Sequence, residues 1–132
     1  MATTTAAISI SSSDLIPGMA MNYYKTATLH KAGSCNGLAK IQSATKEYTS
    51  TSTVELLDES VVTTDKANKL YIKNLSTDTT EYFTVYIQSE ELGRLYAGDW
   101  MFIPWSAGSS NNVQVAPSVA SSMKLEYVLV HE

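Results

Sequence analysis

A chain of 132 residues, 44% hydrophobic and only 17% charged, is long and apolar enough to bury a core within one domain, which excludes wholesale disorder. Its formal net charge of −4 comes without any Lys/Arg cluster, so neither nucleic acid nor an anionic membrane surface is an expected partner. No apolar run approaches the roughly 18 residues of a spanning helix, and residues 1–10 show neither the basic nor the apolar region of a secretory signal.

Ser and Thr make up about a quarter of the chain, well above ordinary usage. Polar faces are therefore built from hydroxyls more than from ions. The single cysteine, Cys35, cannot close an internal disulfide, so the fold must stand on its core alone.

In chain order, residues 1–20 are rich in Ala, Ser and Thr, with apolar positions at Ile8, Ile10, Leu15 and Ile16. Ile8 and Ile10 alternate with Ser9 and Ser11 at the strand period, and Pro17-Gly18 punctuates the end. The pattern predicts an extended arm that adds as a strand to a neighbouring subunit; the plain alternative is a frayed terminus. Residues 21–132 then form a single sandwich domain. Residues 19–29 read as extended, residues 32–37 as a loop with Asn36-Gly37 suited to a tight turn. Residues 45–57 read as one long, half-exposed strand with Tyr48, Val54 and Leu56 on one parity.

From Leu70 onward the rhythm is regular. Strands are expected around residues 70–75, 82–87, 92–95, 100–103, 113–115 and 123–130, separated by Gly, Asn, Asp and Ser. Short helical turns are possible near Ser89-Glu90-Glu91 and near residues 118–122. Leu70, Ile72, Phe83, Val85, Ile87, Leu125 and Leu129 fall at core positions. The expected fold is all-β: an antiparallel β-sandwich or jelly-roll-like barrel of about eight strands, with an extended N-terminal arm.

Chemical motifs are sparse. His30 and His131 are far apart, with no ligand spacing around them, and read as exposed strand or terminus residues. Cys35 has only His30 nearby as a base and reads as an incidental thiol. Glu90 and Glu91 are adjacent, so on a strand they would point to opposite sides and cannot flank one bond. The glycines form no phosphate-binding or nucleophile-elbow motif. No catalytic residue, metal ligand or cofactor is expected. The aromatics remain: Trp100 and Phe102 share a strand face and read as core. Pro104 marks an edge strand or bulge. Trp105 is either a cap on the sandwich end or an interface residue.

The segment from Asn68 to Val130 resembles small virion proteins of tailed bacteriophages, the β-sandwich decoration (cement) proteins and related head or tail accessory proteins. The features that carry the resemblance are Leu70-Tyr71-Ile72-Lys73-Asn74-Leu75-Ser76, the aromatic strand after it, and Gly93-Arg94-Leu95 leading to Ala97-Gly98-Asp99. Trp100-Met101-Phe102-Ile103-Pro104-Trp105 and the closing Leu125-Glu126-Tyr127-Val128-Leu129-Val130 complete it. It covers about half the chain and implies no active site.

The resemblance implies a non-enzymatic structural protein on the surface of the phage particle, made in the host cytoplasm. It would be a capsid decoration protein stabilising the major capsid lattice by multivalent contacts. Its expected partners are the major capsid protein or another virion protein, and its own copies, with a trimer as the first expectation. The expected interface residues are Ile8, Ile10, Leu15, Ile16, Tyr96 and Trp105. The alternative is a carbohydrate-binding or host-recognition module of a tail fibre or tail tip, in which Trp100, Trp105 and several Tyr stack on sugars. A jelly-roll enzyme would need a His/Glu metal triad, which the sequence lacks.

Overall fold

The computed structural model describes residues 3–108 and 110–132. Its strands are β1 (Thr5–Ile16), β2 (Met19–Thr28), β3 (Lys40–Tyr48), β4 (Val54–Leu57), β5 (Lys69–Asn74), β6 (Tyr82–Ile87), β7 (Glu90–Tyr96), β8 (Trp100–Pro104), β9 (Val113–Pro117) and β10 (Met123–His131). The chain divides after Ala39 into two units. The first holds the β1–β2 sheet, and the second holds the other eight strands in two four-stranded sheets.

In the second unit, side-chain alternation decides the architecture. Along β10, Met123, Leu125, Tyr127, Leu129 and His131 are buried while Lys124, Glu126, Val128 and Val130 face outward. Leu70, Ile72 and Asn74 of β5 and Val113, Val115 and Pro117 of β9 repeat the pattern. Each such strand has one apolar side to hide, and two sheets packed face to face hide them together. One sheet runs in the order β3-β10-β5-β8 and the other β4-β9-β6-β7, with every pairing antiparallel. Only β6 and β7 are consecutive neighbours within a sheet; every other connection crosses the sandwich. This is the eight-stranded jelly roll.

The expected core is present. Leu70, Ile72, Phe83, Val85, Leu125 and Leu129 are buried together, and Ile87 packs partly buried against them. Tyr48 meets Phe83 edge-on, with ring centroids 5.9 Å apart. Asn74, fully buried at the end of β5, ties the two sheets. Its Nδ2 donates to the Leu95 carbonyl at 3.0 Å, and its Oδ1 accepts from the Ser76 amide at 2.9 Å.

Several local expectations are corrected. Residues 45–57 are not one strand, because β3 ends at Tyr48 and β4 begins at Val54 in the other sheet. Between them the Ser50 hydroxyl accepts from the Ser52 amide at 3.2 Å, a local bond that competes with ladder pairing. Residues 88–91 form no helical turn. Gln88 and Ser89 both have positive φ (48° and 69°), the conformation of a tight hairpin turn, and Glu90 and Glu91 already belong to β7. Residues 118–121 form a bend rather than a helical turn. Asp58, Glu59 and Ser60 do begin a turn: Glu59–Val61 is a short 3-10 segment capped by the Asp58 side chain. His131 is buried on the inner side of β10 rather than exposed.

The division after Ala39 also differs from the expected boundary after residue 20. Thr5–Ile16 is extended, as expected, but it turns at Pro17-Gly18 and pairs with β2 along its length. Gly18 sits at φ 76°, the left-handed region that glycine enters without steric cost.

Phe83 lies at the centre of the core, so Phe83→Ala should cost about 3–5 kcal/mol, read by urea denaturation; an unchanged midpoint would place the core elsewhere. Burial, and secondarily the nearby Tyr127, push the Tyr48 hydroxyl up from 10.0 to about 12. The unfolded chain releases this proton near pH 10 and the folded chain only near 12. The stability contributed by the protonated hydroxyl is therefore fully present below about pH 10 and lost as pH rises toward about 12. Denaturation midpoints measured across that window should fall, and Tyr48→Phe should flatten part of the fall.

Candidate interaction surfaces

The β1–β2 hairpin has two unlike faces. Directly opposed residues point the same way, so one face carries Ala6 with Ala27, Ile8 with Lys25, Ile10 with Tyr23, and Ser12 with Met21. The other face carries Thr5 with Thr28, Ala7 with Thr26, Ser9 with Tyr24, and Ser11 with Asn22. The first is apolar apart from Ser12 and from Lys25, whose ammonium lies 5.9 Å from the Tyr23 ring centroid. Ile8, Ile10 and Tyr23 on it are exposed. At the tip, Leu15, 67% exposed, joins Ile16 and Met19. A bulge between Ser12 and Ile16 sets this tip, where the Ser12 hydroxyl accepts from the Leu15 amide at 3.0 Å. Among the described residues the sheet has two strands, so neither of its edges pairs with a third.

The base of the hairpin is tied down. Leu29 donates its amide to the Thr4 carbonyl at 2.8 Å, and the Thr4 hydroxyl donates to the Leu38 carbonyl at 2.7 Å. His30 and Gly37 form an isolated bridge, with His30 Nδ1 3.1 Å from the Cys35 carbonyl. Cys35 itself is exposed and free.

The second surface is the outer face of the β3-β10-β5-β8 sheet. Its rows, read across the strands, are Thr45, Glu126, Lys73 and Trp100; then Ser43, Val128, Tyr71 and Phe102; then Ile41, Val130, Lys69 and Pro104. Trp100 and Phe102 are 45% and 39% exposed, which corrects their expected place in the core. The reason is register: they pair with Lys73 and Tyr71, the outward residues of β5, while Met101 and Ile103 turn inward. The Tyr71 and Trp100 rings lie 6.2 Å apart at 35°. The Tyr71 hydroxyl donates to Glu126 at 3.3 Å, and its pKa is raised by desolvation first and by Glu126 second. Pro104 stands on β8, an edge strand as expected.

A smaller aromatic group lies on the other sheet. Tyr82 and Tyr96 pack at 5.3 Å, and the Arg94 guanidinium sits 4.7 Å over the Tyr82 ring.

The expected interface residues therefore fall in separate places. Ile8 and Ile10 share the apolar hairpin face, Leu15 and Ile16 form its tip, and Tyr96 is exposed on the sandwich. Trp105 is corrected: it is 2% exposed and works as a cap. Its Nε1 donates to the Asn111 carbonyl at 2.8 Å, and its own carbonyl accepts from Asn68 Nδ2 at 3.2 Å. An indole so enclosed presents no surface to a partner. Tyr23, Met21 and Tyr71 were missed as surface residues; the odd parity of Tyr71 against core-facing Leu70 and Ile72 was the available signal. Among the described residues, no group of three or more His, Cys, Asp or Glu is placed to hold a metal ion.

No family model and no curated protein matches the chain. Among solved structures, it is similar to the crystal structure of Yersinia pseudotuberculosis-derived mitogen. The identity is 12% and the TM-score 0.44, over 70% of this chain and 86% of that one. A likeness of that depth carries no argument about function.

Trp105→Ala should destabilise the sandwich by about 3–5 kcal/mol, whereas Trp100→Ala on the open face should cost about 1 kcal/mol or less. Equal losses by chemical denaturation would contradict this assignment of cap and surface.

Proposed function

We propose that the chain is a non-enzymatic structural protein of a bacteriophage particle, a capsid decoration protein that stabilises the major capsid lattice by multivalent contacts. The observation that carries this is the β1–β2 hairpin, whose Ile8, Ile10 and Tyr23 lie uncovered on one face beneath an apolar tip. An isolated two-stranded sheet is marginal in water. The sandwich has its own core, whereas the hairpin has a face and two edges to complete against something else. The major capsid protein, or another virion protein, would supply that surface: a sheet edge to extend the ladder and an apolar seat for the isoleucines. The protein would be made in the host cytoplasm and act at the particle surface, where repeated copies multiply modest contacts.

The outward Trp100, Phe102 and Tyr71 favour one alternative, a carbohydrate-binding or host-recognition module of a tail fibre or tail tip. Particle rebinding separates the two, since a tail module would not decorate capsids.

Ile8→Ser/Ile10→Ser should leave the circular dichroism and the melting of the sandwich unchanged. Losing two buried Ile contacts removes roughly 3–6 kcal/mol per site, more than 100-fold in affinity. Occupancy of undecorated capsids by the purified variant should fall accordingly. Occupancy equal to that of the parent chain would sink the assignment of the hairpin as the lattice contact.

A further inference from the structure

The outer face of the β3-β10-β5-β8 sheet has a pattern that the hairpin's proposed role leaves unused. An outward sheet face in water is ordinarily polar, yet this one carries Phe102, Tyr71 and Val128 in one row and Pro104, Val130 and Ile41 in the next. Trp100, Phe102 and Ile41 are exposed in the chain as a whole. Contiguous apolar patches of this kind mark contact sites.

The four columns are complementary to themselves. A two-fold axis parallel to the strands, placed between β5 and β10, sets each row against the same row of a second copy, with columns exchanged. Lys73 then meets Glu126 of the other copy, twice by symmetry. Tyr71 meets Val128, Pro104 meets Ile41, and Lys69 meets Val130, against which its alkyl stem can lie with the ammonium at the rim. The bulky Trp100 and Phe102 fall over the small Thr45 and Ser43, the large-against-small arrangement by which packed layers interdigitate. An axis across the strands, through the Tyr71 row, would instead set Lys73 against Lys69. Charge selects the first arrangement.

From this we propose that the outer face of the β3-β10-β5-β8 sheet joins two copies of this chain, packed face to face about a two-fold axis parallel to the strands. A sugar is the competing occupant of these aromatics. Against it, Tyr71 and Trp100 are tilted by 35° and offer no common plane to a pyranose ring, and Lys73 and Glu126 sit among them as a mixed pair. Four strands about 4.8 Å apart and about seven residues long give a face of roughly 450 Å² per copy. The pair totals roughly 900 Å², below the roughly 1,200 Å² of stable specific interfaces and within the range of weak, transient ones, so the dimer is reversible and concentration-dependent. It replaces the trimer first expected, and each dimer carries two hairpins.

The test uses the full chain carrying Ile8→Ser/Ile10→Ser, which silences association through the hairpin. Sedimentation from about 1 to about 300 µM should show monomer passing to dimer. Lys73→Glu or Glu126→Lys, each alone, sets like charges across the interface and should weaken the dimer at least ten-fold. An equimolar mixture of the two variants should restore it, because both cross-copy contacts then have opposite sign. Melting temperatures of the separate variants report any loss of fold. Monomer throughout, a trimer, or a mixture that associates no better than its components overturns the proposal. Retention of monomer on an immobilised polysaccharide, lost with Trp100→Ala, would give the face to a sugar instead. None of these outcomes bears on capsid occupancy, so this inference and the proposed function fail separately.

Discussion

Side chains alternate across a strand, so every sheet has two faces, and stacking two sheets covers only the inner pair. The rest of this structure depends on that constraint. In the eight-stranded body the inner faces are filled by Leu70, Ile72, Phe83, Val85, Val113, Val115, Leu125 and Leu129, and the outer faces must meet whatever lies outside. Where that is water, polar side chains serve, as with the paired Glu55 and Gln114 of the other sheet. Where apolar residues stand outside, as Trp100 and Phe102 do, the sequence has specified a surface that water serves poorly. The β1–β2 sheet meets the same constraint without a second layer: its hydroxyl face is solvated, and its Ile8, Ile10 and Tyr23 face is left open.

Much of the body was legible because period-two alternation is a local signal. Leu70 and Ile72, Phe83 and Val85, and Leu125 and Leu129 announce their buried side without reference to any partner. Trp100 and Phe102 show where that signal ends. Their shared face could be read from spacing, but whether it points in or out depends on pairing with Lys73 and Tyr71, a relation across about 30 residues. Apolarity alone pointed the wrong way. Trp105 was ambiguous for a related reason. Its enclosure is produced by carbonyl and amide partners on Asn111 and Asn68, which no periodicity reveals. Pro17-Gly18 was correctly read as a turn, but the role of a turn depends on where the next residues pair. The register of Ile10 against Tyr23 and Ser9 against Tyr24 makes it the bend of a hairpin.

The two surfaces also differ in how their supports resist deformation. The outer face of the sandwich rests on strands whose reverse sides are packed in the core, so its rows hold their spacing under load. The hairpin is backed by no second layer of its own sheet, and away from its tied base it opens at low free energy.

The pairing of β3 with β10 has a consequence for how the molecule is made. Lys40 lies opposite His131 and Tyr48 opposite Met123, so the first and last strands of the body are neighbours. Ribosomes add roughly 5–20 residues per second. For roughly 5–20 seconds after β3 emerges, its intended neighbour does not yet exist, and the jelly roll cannot close until synthesis has passed His131. Pairings this distant along the chain place it among slowly folding topologies. The hairpin contains only local pairs and completes within its own span, so its apolar face is on display while the body is still a string of unpaired edges. The hydroxyls of residues 43–53, with Lys46 and Glu47 among them, suit that interval, because a polar segment stays hydrated while its partner is still to come.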